Sequence, residues 1–391
     1  MYNIKLLFAG LVVLSGCSKK NGQIAEVLPV ATINSISVDR TINSSIFHFS
    51  VSLSKSSSNA VTIHFKTADG TAFSNTDYIP VDGTLTIAAN QTDGFIDVTV
   101  KGDSLRRADQ DFYVQLDNAQ NCTLQYNKGT GTIVNSKGTY FPVVNTGYTT
   151  PISYPGYSLV WSDEFNSKNI NDANWTFESG NNNGWGNNEL EYYTDRVQNV
   201  FASQGNLIIE ARAESYNGKN YTSTRMITKD KKIFKYGRID IRAKMPNGKG
   251  VWPALWMLGN NIDQVSWPAC GEIDILELLG HEPNKIYGTL HWGQSAAAHF
   301  SKGNSYTLST GSFDQQFYVY SLIWKQNEIQ ILVNDHIFVT VPATDISGNN
   351  PFNSNFFLIF NVAVGGNWPG SPDNTTAFPQ RMIVDYVRVF Q

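Results

Sequence analysis

The stretch Trp267-Pro268-Ala269-Cys270-Gly271-Glu272-Ile273-Asp274-Ile275-Leu276-Glu277-Leu278-Leu279-Gly280 sets three carboxylates among β-branched and aliphatic residues, a composition that reads as a β-strand. Side chains alternate along a regular strand, so Glu272 and Asp274 share one face. Glu277, five positions beyond Glu272, then points to the other. One inserted residue, a β-bulge, shifts the register and brings Glu277 round beside them. At ~3.3 Å per residue the two glutamates then have Cα atoms about 13 Å apart, and their carboxyls can lean to roughly 5 to 6 Å.

Three acids in one row are electrostatically unequal. They cannot all stay ionised cheaply, so at least one keeps its proton near neutrality. A protonated glutamate can give that proton to a leaving glycosidic oxygen while an ionised partner attacks the anomeric carbon, and a middle aspartate can tune both. The residues alone do not say which end is which, and a calcium cluster or a solvated acidic edge strand uses the same letters. Trp252, Trp256, Trp267 and Trp292 lie within a few dozen positions of the acids. Indole faces stack on the apolar faces of sugar rings, although each can equally be core.

Outward from this strand the chain is β throughout. Gly205–Arg212, Gly237–Lys244, Tyr318–Trp324, Glu328–Val333 and Met382–Phe390 read as strands, and no long segment carries a 3.6-residue apolar stripe. Residues 158–391 therefore predict a single all-β sandwich of two large sheets. All nine tryptophans fall after residue 160, which marks a domain boundary. Before it, 31–137 gives short alternating segments, among them Ile46–Leu53, Val61–Phe65, Gly83–Ile87, Phe95–Val100 and Phe112–Leu116. Turn residues recur every eight to twelve positions, the pattern of an antiparallel sandwich. Residues 138–157, rich in Gly, Pro and Thr without periodicity, read as a linker or interdomain strap.

The charge balance excludes one class of partner. With 33 acidic against 29 basic side chains in 391 residues, the net charge of −4 leaves no polybasic surface for nucleic acid. Residues 1–16 carry Lys5 and the apolar run Leu6–Leu14, too short to span a bilayer and built like an export signal. The ending Leu14-Ser15-Gly16-Cys17 resembles the lipobox of bacterial lipoproteins, implying lipid attachment at Cys17, a tether over 17–30 and anchoring to an outer membrane. An ordinary cleaved signal is the alternative. Cys122 and Cys270 are then the only candidates for a bridge. Cys270 reads as a small buried filler, because the carboxylates beside it would raise its pKa.

Two resemblances extend this reading. The strings TADGTAFSNTDY, DGTLTI, DFYVQLDNA and GTGTI resemble the Calx-beta module, which implies a seven-stranded sandwich that in some relatives binds calcium. Asp77, Asp103, Asp109 and Asp111 could supply ligands, the alternative being solvated loop aspartates. From Leu159 to Gln391, the words LVWSDEF, GWGNNELEYYT, YGRIDIRAKMPNGKGVWPALWMLG, WPACGEIDILELLG, TLHW and NVAVGGNWPGSPDNTTAFPQRMIVDYVRVF resemble family 16 of the glycoside hydrolases. Within that family the likeness is to the bacterial laminarinases, endo-acting β-1,3-glucanases. The resemblance implies a concanavalin-like β-jelly roll with an open cleft and retention of anomeric configuration. It maps the nucleophile to Glu272, the assisting aspartate to Asp274 and the general acid/base to Glu277.

It further implies sugar contacts at Trp185, Asn188, Arg225, Trp252, Trp256, Trp267 and His291. His291 reads equally as a structural histidine from the residues alone. A structural calcium ion away from catalysis would use Glu164, the carbonyl of Gly205 and Asp385. No cofactor enters the implied chemistry, and a monomer acting on β-glucan is expected. Mixed-linkage β-1,3-1,4-glucan, galactans, and a surface glycan-binding lipoprotein that does not cut are the rival readings.

Overall fold

Alternation decides the front sandwich: Phe47, Phe49, Val51 and Leu53 of the strand Ser45–Leu53 are buried, while the residues between them are open or half-open. The computed structural model describes residues 27–41, 43–103, 109–135, 142–167 and 169–391. The expected signal, Cys17 and the start of the tether lie outside the described residues.

The front region forms a four-stranded sheet facing a five-stranded one. Nine strands thus replace the seven that the resemblance implies. The extra ones are short, and two of their pairings are parallel: Val30–Ile33 beside Thr123–Tyr126, and Ile36–Asp39 beside Lys128–Val134. The chain therefore enters one sheet and crosses directly to the other, which departs from a purely antiparallel sandwich. Phe112, stacked on Tyr78 with ring centroids 4.6 Å apart and edge-on to Phe49, centres the core.

Residues 142–157 are a strap. Tyr154 donates to Asp240 Oδ2 at 2.6 Å, Tyr148 to Asp335 Oδ2 at 2.6 Å, and the Thr150 amide to the Tyr386 hydroxyl at 3.0 Å. All three partners belong to the rear region, a ten-stranded sheet packed on an eight-stranded one. Leu255, Met257, Ile273 and Leu276 share a core with Ile239, Ile241, Leu322 and Val387. Among the described residues the one α-helix is a single turn, Ile262–Val265.

The eight-stranded sheet carries the site. Its strands are β1 (Thr176–Glu178), β2 (Arg225–Ile227), β3 (Val251–Gly259), β4 (Glu272–Leu278), β5 (Lys285–Gly293), β6 (His299–Thr307) and β7 (Phe356–Val364), with the two-residue Ile233–Phe234 beside β7. They lie in the order β1-β2-β7-β3-β4-β5-β6. Gly271 opens β4 at φ +81°, where a Cβ would stand 2.8 Å from the Phe356 ring, so a glycine is required there. Cys122 and Cys270 are both buried and free, in separate cores, so the bridge left open by the count is not made.

Candidate active site

The bulge read from the sequence is present in β4. Against β3, Leu258 faces Glu272, Met257 faces Ile273 and Trp256 faces Asp274, but Leu255 then faces Leu276 and Ala254 faces Glu277. Ile275 is the unmatched residue, and it is fully buried. The same slip appears against β5 between Asp274 and Glu277. As a result the three acids line one groove, which holds about 680 Å³ of water-accessible space.

Neighbouring strands order the groove face into rows. Glu277 sits in line with Ala254, Asn361 and Arg225; Asp274 with Trp256 and Thr289; Glu272 with Leu258 and His291. An indole holds each outer acid. Trp267 Nε1 donates to Glu272 Oε2 at 2.9 Å, and Trp252 Nε1 donates to Glu277 Oε1 at 3.2 Å. Burial, then the Asp274 charge, pushes Glu272 up to about 8, and burial pushes Asp274 up to about 8. Glu277 is raised well above its ordinary value by burial and then by Asp274 and Glu272. Burial, with the Glu272 charge second, also lifts the Cys270 thiol to about 11 and leaves it an inert filler, as the sequence suggested.

Six of the seven expected sugar contacts, Trp185, Arg225, Trp252, Trp256, Trp267 and His291, line the groove. Arg225 lies between the Trp185 and Trp256 rings, 4.8 and 4.7 Å from their centroids, and pairs with Glu178. Asn188 is the exception: Asn187 and Glu189 line the groove while the Asn188 amide donates to Asn367 Oδ1 at 2.8 Å. Trp292, next to His291 on β5, faces the core instead, as alternation requires. His291 Nε2 is 3.2 Å from Asp274 Oδ2, and its Nδ1 is 2.8 Å from His299 Nε2.

Glu189, His299, Asn361 and Trp368 also line the groove and were missed. Asn361 had a signal, a lone amide in the apolar run FFLIFNVAV. It accepts from Trp256 Nε1 at 2.7 Å and donates to the Tyr193 hydroxyl at 3.0 Å, which in turn donates to Glu189 Oε2 at 3.1 Å. This buried chain fixes the Trp256 ring from behind.

The two carboxylates expected to hold calcium on the rear sandwich are engaged by arginines as arranged. Glu164 accepts two hydrogen bonds from Arg388, both at 2.8 Å, and Asp385 pairs with Arg242 at 2.7 Å. In the front sandwich Asp77 is neither a solvated loop residue nor open to a metal. It pairs with buried Arg40 at 3.0 Å and accepts from Gln110, Gln198 and the Phe73 amide. Asp103 lies 3.9 Å from the same guanidinium, Asp111 accepts from Thr132, and Asp109 from the Asn135 amide. A guanidinium already stands where a cation would.

Residues 172–388 match the family described as glycosyl hydrolases family 16, and residues 33–136 match the Calx-beta domain. The chain belongs to glycosyl hydrolase family 16. It is 41% identical over 251 residues to a beta-glucanase of Rhodothermus marinus, an alignment covering 61% of this chain and 86% of that protein. To the glucan endo-1,3-beta-glucosidase A1 of Niallia circulans it is 38% identical over 271 residues, 63% of this chain but 40% of that longer protein. The laminarinase catalytic domain of Thermotoga maritima superposes with a TM-score of 0.57 at 47% identity, covering 60% of this chain and 98% of that domain. The jelly-roll architecture of this family-16 chain thus agrees with the fold expected from its sequence, preceded by a Calx-beta sandwich.

Proposed function

We propose that this chain is an endo-acting β-1,3-glucanase that hydrolyses laminarin-type glucan by double displacement. The observation that carries the reading is the β4 bulge, which delivers Glu272, Asp274 and Glu277 to one aromatic-walled groove. In the first step Glu272 attacks the anomeric carbon and forms an ester as the glycosidic C–O bond breaks. Glu277 donates its proton to the departing oxygen. In the second, Glu277, now a carboxylate, takes a proton from water, whose oxygen attacks the same carbon and frees Glu272. Asp274 beside both keeps the proton on Glu277 by its charge. Stacking on Trp185, Trp252, Trp256 and Trp267 would hold the sugars across the acids. No cofactor takes part in these steps.

The relatives named as glucan endo-1,3-beta-glucosidases and laminarinases support the β-1,3 linkage over the rivals. A sulfated galactan would call for basic walls. Arg225 is the only Arg or Lys among the described groove residues, and Glu178 already neutralises it. A protein that only bound glycan would gain nothing from three costly carboxylates side by side. The Leu14–Cys17 run supports export and lipid anchoring at Cys17, with the enzyme acting as a monomer at a membrane surface.

Replacing Glu272 by Ser should lower release of reducing ends from laminarin ~10³-fold or more while laminari-oligosaccharide binding persists. Appreciable residual turnover would contradict the assignment.

A further inference from the structure

Glu272, Asp274 and His291 bring one ligand atom each to within 4.8 Å of one another. Asp274 Oδ2 lies 3.2 Å from His291 Nε2 yet is buried with no hydrogen-bond partner, so the ring N–H is not aimed at it. Glu272 Oε1 stands 4.0 Å from the same nitrogen, its other oxygen being held by Trp267. An orphaned buried carboxylate oxygen beside an imidazole nitrogen leaves a polar cost that a cation removes. We propose that Glu272 Oε1, Asp274 Oδ2 and His291 Nε2 form a binding site for Zn²⁺, a borderline divalent cation, whose occupancy excludes glucan from the groove.

The spacing suits that ion. With metal–ligand bonds of about 2.0 to 2.1 Å, the donors of a tetrahedral zinc site stand roughly 3.3 to 3.4 Å apart. The His291–Asp274 edge is 3.2 Å already, and a turn of the Glu272 side chain would close its 4.0 Å edge to His291 and its edge to Asp274, which is within 4.8 Å. The donor chemistry agrees: one imidazole with two carboxylates suits zinc, whereas Ca²⁺ wants six to eight oxygens. A histidine that ligates through Nε2 carries its proton on Nδ1 and needs an acceptor there. His299 Nε2 supplies it at 2.8 Å, the two rings stacking at 14°.

All three residues line the open groove, so water would complete the coordination. Bound zinc would occupy the Glu272 oxygen lone pairs that the proposed hydrolysis uses for attack, so inhibition rests on that reading, while binding does not.

The test is calorimetric titration of Zn²⁺ into the full chain, with and without saturating laminaritriose, for the wild type and for His291→Ala and Glu272→Ser, each checked for native circular dichroism. The expected result is a site weakened at least tenfold by either substitution, weakened by laminaritriose in the wild type, and not competed by Ca²⁺. Zinc binding that depends on His291 in a chain that fails to bind laminaritriose would support the metal site and count against the glucan reading. A folded His291→Ala chain that binds Zn²⁺ as tightly as the wild type would overturn the proposal. So would laminaritriose that binds the wild type without weakening zinc, a result that needs no variant.

Discussion

Burial, and then the carboxyls of Asp274 and Glu272 on the same groove face, let Glu277 serve as an acid at neutral pH. The causes of its raised pKa are burial, then Asp274, then Glu272. Asp274 also raises Glu272. Removing the Asp274 charge should therefore lower both pKa values. In Asp274→Asn the acid limb of the pH profile of kcat/KM, set by ionisation of the nucleophile, and the alkaline limb, set by loss of the Glu277 proton, should both move down by roughly one pH unit. Profiles on laminarin from pH 4 to 10 would check this, and limbs that stay in place would mean that Asp274 does not tune its neighbours. The three acids were legible because carboxylates in an apolar strand demand an explanation from any fold. His299 was not, because only the pairing of β5 with β6, which puts His299 opposite Gly293 and diagonal to His291, brings the two rings together, and nothing in the local letters around His299 announces that partner.

At the scale of the element, one residue decides the site. Ile275 is the extra position that turns Glu277 back to the groove, and its own side chain is fully buried. Deleting Ile275 leaves Glu272-Ile273-Asp274-Leu276-Glu277, in which strict alternation alone keeps all three acids on the groove face. The expected result is a chain that still hydrolyses laminarin but is destabilised by about 2 kcal/mol or more, since a fully buried side chain is lost. Activity and thermal unfolding measured together would show it. A folded deletion variant that no longer cleaves laminarin would mean that the bulge does more than set which way Glu277 faces. The need for a bulge followed from spacing alone, but its position did not. Either of the two residues between Asp274 and Glu277 could have bulged, and the pairing of Leu276 with Leu255 leaves Ile275 as the extra one.

Across the whole molecule, the boundary was visible in the tryptophan distribution, whereas the docking of 142–157 onto the rear sheet was not, because tyrosine hydroxyls reaching distant aspartates leave no periodicity. The front sandwich depends on a buried ion pair, Arg40 with Asp77, to which Gln198 of the rear region adds a hydrogen bond at 2.9 Å. Arg40→Ala leaves Asp77 buried and unpaired and should destabilise the front sandwich by about 3 to 5 kcal/mol. Calorimetry should show that sandwich's unfolding at lower temperature in the variant, with added Ca²⁺ leaving the wild-type transition unmoved. A calcium-dependent rise of that transition would reverse the reading of Arg40 as the resident cation.

The central claim, that the kinked strand places a nucleophile and an acid on one sugar, is tested most directly by following laminarin hydrolysis by proton NMR before mutarotation scrambles the anomers. Double displacement predicts that the new reducing ends appear first as the β anomer. Initial appearance of the α anomer would mean a single displacement by water, and the roles assigned to Glu272 and Glu277 would fall.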